Sequence, residues 1–137
     1  MITAVDTSVL LDVFGADVTF GQRSKDALET CLSQGGLVAC EVVWAETASV
    51  FPSPRAADAA MSRLGVVFEP VQAEAALTAG AACKVYRSRG GGRERVVADF
   101  LIGAHALHQA ERLLTRDRGF YRSYFGRLRV LDPAAEA

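Results

Sequence analysis

Four acidic residues of this 137-residue chain stand where a carboxylate is either structural punctuation or chemistry: Asp6, Glu46, Asp99 and Asp117. Asp6 directly follows the short apolar run Ile2–Val5, and Asp117 follows another that ends at Thr115. In open α/β sheets, ligands bind beyond the carboxyl ends of the strands, near the point where strand order reverses. Taken singly, each of these Asp residues is equally a helix N-cap or a loop residue. Glu46 is harder to dismiss. On a helix it shares a face with Val43, Thr47 and Val50, so it is predicted to interrupt an apolar stripe with no basic residue within a turn or two. A buried carboxylate is costly unless it is paired, protonated or bound to a cation. Glu41 competes with it, but sits at a helix start, where an acidic residue is routine. Asp99 opens the apolar helix that begins Phe100-Leu101-Ile102. Gathered together, four carboxylates repel one another unless a cation neutralises them. Hard oxygen donors with only 2 histidines in the chain point to Mg²⁺ or Mn²⁺ in preference to zinc or copper. Such an ion activates a water and offsets the charge that builds on a phosphoryl oxygen. Whether one ion or two bind stays open.

The elements that must position these acids alternate along the chain. Strands are predicted at Ile2–Val5, Leu37–Cys40, Val66–Phe68, Arg112–Thr115 and Leu128–Leu131. Between them fall helices just after Asp6 and over about 23–33, 42–50, 54–64, 73–87, 98–109 and 120–125. Pro54 suits a first helical turn, Gly35-Gly36 a helix end, and Gly90-Gly91-Gly92 a flexible break. Short strands joined by helical crossovers imply an α/β fold: a three-layer α/β/α sandwich around a central, mostly parallel sheet. A single domain over 1–132 is expected, with 133–137 a frayed tail.

Composition sets the setting. Half the chain is apolar and 23% is charged, as in a soluble globular protein. The opening residues stop at Asp6 with no basic leader and no long apolar run, so a cytoplasmic protein without a membrane span is expected. Cys31, Cys40 and Cys83 lack metal-ligand or disulfide spacing and are read as buried apolar residues. Charge is uneven. Up to Phe68 there are 4 basic and 8 acidic residues, and beyond it 11 basic and 8 acidic. Every one of those 11 lies between Lys84 and Arg129, a stretch suited to neutralising phosphates. Within it Arg87, Arg89, Arg93 and Arg95 surround the three glycines, and Arg116, Arg118 and Arg122 surround Asp117. They are candidates for contact with a nucleic-acid backbone; an ordinary solvated loop is the alternative.

Four motifs in register carry a family resemblance. Asp6-Thr7-Ser8-Val9-Leu10-Leu11 resembles the opening of the PIN domain, particularly of VapC-like toxins. Val42-Val43-Trp44-Ala45-Glu46, Ala98-Asp99-Phe100-Leu101-Ile102-Gly103-Ala104-His105-Ala106 and Leu114-Thr115-Arg116-Asp117-Arg118-Gly119-Phe120 continue it across essentially the whole chain. The resemblance implies a Mg²⁺- or Mn²⁺-dependent endoribonuclease, usually the toxin of a type II toxin–antitoxin pair held inactive by a cognate antitoxin, and commonly a homodimer. Asp6, Glu46, Asp99 and Asp117 match the family's acidic quartet. Ser8 matches a polar position that helps order the site, and Thr115 is assigned the same part.

Other readings bear on the same residues. An Asp after the first strand can be a phosphatase nucleophile, but the usual second Asp two residues later is Ser8 here. A binding module that kept the fold and lost the chemistry is a further class. His105 and His108 form H-x-x-H on one helix, with no further Cys or His nearby to complete a zinc site, so His105 is read as a hydrogen-bonded core histidine. Phe14, Trp44 and Phe51 are read as core residues first and as anchors for an antitoxin helix second.

Overall fold

A computed structural model describes residues 1–92 and 95–134. In chain order the elements are β1 (Ile2–Val5), α1 (Thr7–Phe14), α2 (Gly21–Gln34), β2 (Gly36–Ala39), α3 (Glu41–Ala48), α4 (Pro54–Leu64), β3 (Val66–Phe68), α5 (Ala73–Ser88), α6 (Val97–Gln109), β4 (Arg112–Leu114), α7 (Arg118–Tyr124) and β5 (Val130–Leu131). All strand pairings are parallel, and the sheet order is β3-β2-β1-β4-β5. The chain walks outward from β1 to β3, then crosses back to place β4 on the other side of β1. Strand order therefore reverses between β1 and β4, where Val5 pairs with Leu114. Right-handed crossovers put the helices of the outward walk and those of the return on opposite faces. α1 packs on α2, and α5 on α6 and α7, while α3 touches both α1 and α6.

The central strands β1, β2 and β4 are short and buried on both faces, as a covered parallel sheet requires, while the edge strands β3 and β5 are partly exposed. Ala4, Val5, Leu37, Val38, Leu113 and Leu114 form its centre, with Leu10, Leu28 and Met61 against it. An aromatic group made of Tyr86, Phe100, Phe120, Tyr121, Tyr124 and Phe125 packs α5, α6 and α7 together at ring separations of 5.0–6.3 Å. Gly103 makes that packing possible: a Cβ there would stand 2.4 Å from the Phe125 ring. The three cysteines are free and buried. Among the described residues no helix is long and apolar enough to cross a membrane.

Three details depart from the expectations. The last strand is only Val130–Leu131, because Leu128 N–H closes a turn onto Phe125 O at 2.9 Å. The helix expected from Phe120 begins at Arg118, directly after Asp117. The glycine break is an ordered helix end. Gly90 takes φ +82°, its N–H reaches Arg87 O, and Gly91 N–H reaches Tyr86 O at 2.9 Å. That pair of bonds is the Schellman pattern, which favours glycine at the left-handed position.

Candidate metal and nucleic-acid site

At the reversal of strand order lies a cleft of about 410 Å³ lined by Asp6, Thr7, Ser8, Glu46, Asp99, Ile102, Arg116 and Asp117. The four candidate acids come from four separate places: the end of β1, α3, the first turn of α6 and the residue before α7. The α1–α3–α6 contacts bring Glu46 and Asp99 to the crevice that β1 and β4 open.

Asp6 is the deepest of them, 8% exposed. Its Oδ1 accepts from Thr7 N–H at 2.8 Å and so caps α1. Its Oδ2 accepts from the Thr115 hydroxyl at 2.6 Å. Thr115 is fully buried, and its Oγ1 also accepts from Asp117 N–H at 3.0 Å. With that lone pair engaged, the hydroxyl proton is directed at Asp6. One threonine therefore fixes both the carboxylate after β1 and the backbone of the acid after β4. Burial pushes the Asp6 carboxyl up to about 6, and the charges of Asp99 and Glu46 push the same way, against the two hydrogen bonds. Tyr121 is buried nearby. Burial first, and then the charges of Asp6, Asp99 and Asp117, raise its phenol above the usual value, so it stays neutral.

The other acids also have partners within the protein. Glu46 accepts from the Thr7 hydroxyl at 2.7 Å, Asp99 from Val96 N–H at 3.3 Å, and Asp117 from Arg95 at 2.5 Å. Glu46 itself is exposed. Val43 and Thr47 of the expected stripe are buried, but Glu46 does not interrupt it from within, and Val50, beyond the end of α3 at Ala48, is 61% exposed. Glu41 turns instead to Val71 N–H at 3.0 Å and does not line the cleft.

The chemistry of the donor set suits a hard divalent cation. All four acids offer oxygen, the deepest has its carboxyl raised by burial first and by the charges of Asp99 and Glu46 after it, and Ser8 Oγ in the wall is buried with no hydrogen-bond partner among the described residues. Their rotamers are another matter. Among the described residues no three His, Cys, Asp or Glu side chains converge closely enough to hold an ion. Glu46 is turned to Thr7 and Asp117 to Arg95, so ligation requires these side chains to exchange partners.

The arginines divide. Arg116 lines the cleft and is fixed there. Its Nε and Nη2 bond Asp12 at 2.7 and 3.0 Å, and its guanidinium lies 4.2 Å from the Phe20 ring centroid. Asp12 is itself 4% exposed and takes a third bond from Ser24. Arg95 reaches inward to Asp117 over the Phe120 ring. Arg87 and Arg89 are exposed on the neighbouring helix end, Arg89 over Tyr124. Arg118 pairs with Asp132 at 3.7 Å and, with Arg122 and Arg23, lines a different groove of about 580 Å³. Arg93 lies outside the described residues.

Thr7 and Asp12 were not singled out from the sequence. Asp12 had a signal: it interrupts Val9-Leu10-Leu11 and Val13-Phe14 on a short apolar helix with no base nearby in the chain. Asp12, 4% exposed, is thus a carboxylate buried in an apolar stripe, as the exposed Glu46 is not. The histidines separate as well. His105, 1% exposed, faces Glu69 Oε1 at 3.0 Å, with burial pushing its imidazole down. His108 instead meets the Thr78 hydroxyl at 2.7 Å. Phe14 stacks edge-on with Phe51, and Trp44 with Phe68.

The sequence profile of the PIN domain matches residues 3–126. The chain belongs to the PIN-domain family. No curated protein sequence matches it closely enough to count as a relative. Among solved structures, this PIN domain shares its fold with a chain of the VapBC2 complex from Rickettsia felis bound to a fragment of its promoter DNA (TM-score 0.74, 17% identity, covering 96% of this chain and 98% of that one). A chain of VapBC-1 from nontypeable Haemophilus influenzae is similar (TM-score 0.73, 19% identity, 98% and 100% covered). So is VapC20 of Mycobacterium tuberculosis, described as a toxin that cleaves the sarcin–ricin loop (TM-score 0.62, 23% identity, 93% and 98% covered). The PIN fold accounts for the central parallel sheet between helical layers.

Proposed function

We propose that this PIN domain is a Mg²⁺- or Mn²⁺-dependent endoribonuclease, the toxin half of a type II toxin–antitoxin pair acting in the cytoplasm. The observation that carries the reading is the meeting of Asp6, Glu46, Asp99 and Asp117 in one cleft at the β1/β4 reversal. In this reading those four residues hold the cation. When bound, it lowers the pKa of a water to make a nucleophile and offsets the negative charge developing on the phosphoryl group.

The chain's own residues have defined parts. Thr115 holds Asp6 and Asp117 in mutual register, and Ser8, whose buried hydroxyl has no partner among the described residues, stands in the cleft wall as a further group to order the site. Thr7 keeps Glu46 at the rim. Arg116, immobilised by Asp12, presents a permanent positive charge to a backbone phosphate entering from solvent. Arg87, Arg89, Arg93, Arg95 and Arg118 are the outlying candidates for RNA contact. A further structure of similar fold, a chain of a toxin–antitoxin complex from Klebsiella pneumoniae, supports an antitoxin partner, and the family resemblance supports a homodimer.

The test is incubation of purified protein with a mixed RNA pool, with Mn²⁺ or with EDTA, alongside Asp6→Asn and Asp99→Asn. Cuts that need Mn²⁺ and disappear in both variants are expected. Equal cutting by the variants, or release of phosphate from small esters with RNA intact, would contradict the reading.

A further inference from the structure

Arg95 is not among the residues that line the cleft, yet it pairs with one of them, Asp117, and cation binding leaves that pairing unexplained. It stands two residues before α6 and four before Asp99, yet its side chain crosses to the other wall. There its Nη1 lies 2.5 Å from Asp117 Oδ2, and its guanidinium sits 4.2 Å from the Phe120 ring centroid. Asp117 cannot turn its backbone away, because its N–H is tied to Thr115. A positive charge thus occupies one oxygen of an acid that faces three other acids. The pair is half-exposed, with 28% of the Arg95 side chain and 39% of the Asp117 side chain accessible. Such pairs are weak and exchange readily. Arg116 differs in kind: two bonds to a buried carboxylate hold it, and it contacts none of the four acids through a hydrogen bond or ion pair among the described residues.

We propose that Arg95 is a resident counter-ion of the cleft. It substitutes for the divalent cation by holding Asp117 in the metal-free protein, and it must release Asp117 before that carboxylate can serve as a ligand. This rests on the cation reading of the cleft and adds a regulated step to it: Arg95 and the metal compete for one carboxylate. Once released, the guanidinium remains over Phe120 at the mouth, free to pair with an anionic phosphate oxygen. The cleft is thereby kept neutralised until substrate and metal are both present.

The test is Mn²⁺ affinity, read by titration calorimetry or by the loss of the free-Mn²⁺ paramagnetic signal, without RNA. Arg95→Gln and Arg95→Met, the latter keeping an apolar contact with Phe120, are compared with wild type, each also in an Asp117→Asn background. Removing the competitor should tighten Mn²⁺ binding about two- to fivefold, the scale of an exposed ion pair. In the Asp117→Asn background the same substitutions should change affinity by less than about twofold, because the contested carboxylate is gone. Unchanged or weaker binding in both Arg95 variants would overturn the proposal. So would an equal gain with and without Asp117, which would mark a general charge effect. Failure of wild type and both variants to bind Mn²⁺ at all would overturn the cation reading itself, and this proposal with it.

Discussion

Asp6 carries a conflict that its neighbours only partly resolve. Thr115 and Thr7 N–H favour its charged form, while burial and two nearby carboxylates oppose it, and the net effect raises the carboxyl to about 6. The linkage has a definite sign. In the unfolded chain Asp6 ionises near 4, in the folded chain near 6, so folding is favoured when the residue is protonated. That advantage is complete below about pH 4 and is lost as pH rises towards 6. Above pH 6 the metal-free protein carries a penalty of up to about 3 kcal/mol. Asp6→Asn should therefore melt higher than wild type at pH 7.5 in EDTA, with the gap closing towards pH 4. A gap that is the same at both pH values would show that Asp6 is not strained by its charge. The residue scale is also where the sequence was least legible. Thr115 with Asp6 is a pairing 109 positions apart, and Arg116 with Asp12 one of 104; neither leaves a local pattern. The buried face of α3 is Val43 and Thr47, and Glu46 lies off it, exposed, in the lining of the cleft. The four-motif resemblance located it; the stripe did not.

The elements were far more legible, because apolar period and punctuation act locally. Ile2–Val5, Pro54–Leu64 and Val66–Phe68 fall where expected, and most helix ends differ by a residue or two. The misplaced ends have tertiary causes. α7 starts at Arg118 because Asp117 is held by Thr115, a bond no propensity encodes. The glycine run hid a Schellman end, since glycine marks flexible and left-handed backbone alike. Gly103 is a position where an element depends on one missing methyl. It lies four residues after Asp99 on α6 and admits the Phe125 ring of the segment following α7. Gly103→Ala should destabilise by about 1–3 kcal/mol through overpacking, despite its better helix propensity. Because α6 carries Asp99, Mn²⁺ affinity should fall along with stability. Chemical denaturation checks this; a Gly103→Ala protein as stable as wild type or more so would mean that Phe125 moves aside freely.

At the scale of the molecule, the 3-2-1-4-5 strand order turns four unremarkable acids into a site. The return from β3 to β4 opens a crevice beside β1, and each strand or helix that ends or passes there contributes one carboxylate. Alternating short strands and helices were enough to expect the layered parallel sheet. The order within it was not, since crossover destinations depend on packing far from the connection. Within the protein, the negative charge of the cleft is met by two threonine hydroxyls, backbone N–H groups and Arg95. A divalent cation would be the group that lets those contacts rearrange together. Calorimetric titration of Mn²⁺ into wild type and Asp6→Asn at pH 7.5 tests this most directly. The account predicts saturable binding to wild type and at least about a tenfold loss of affinity in Asp6→Asn, comparable to removing one charged hydrogen-bonding partner. Equal binding isotherms for the two proteins would contradict it.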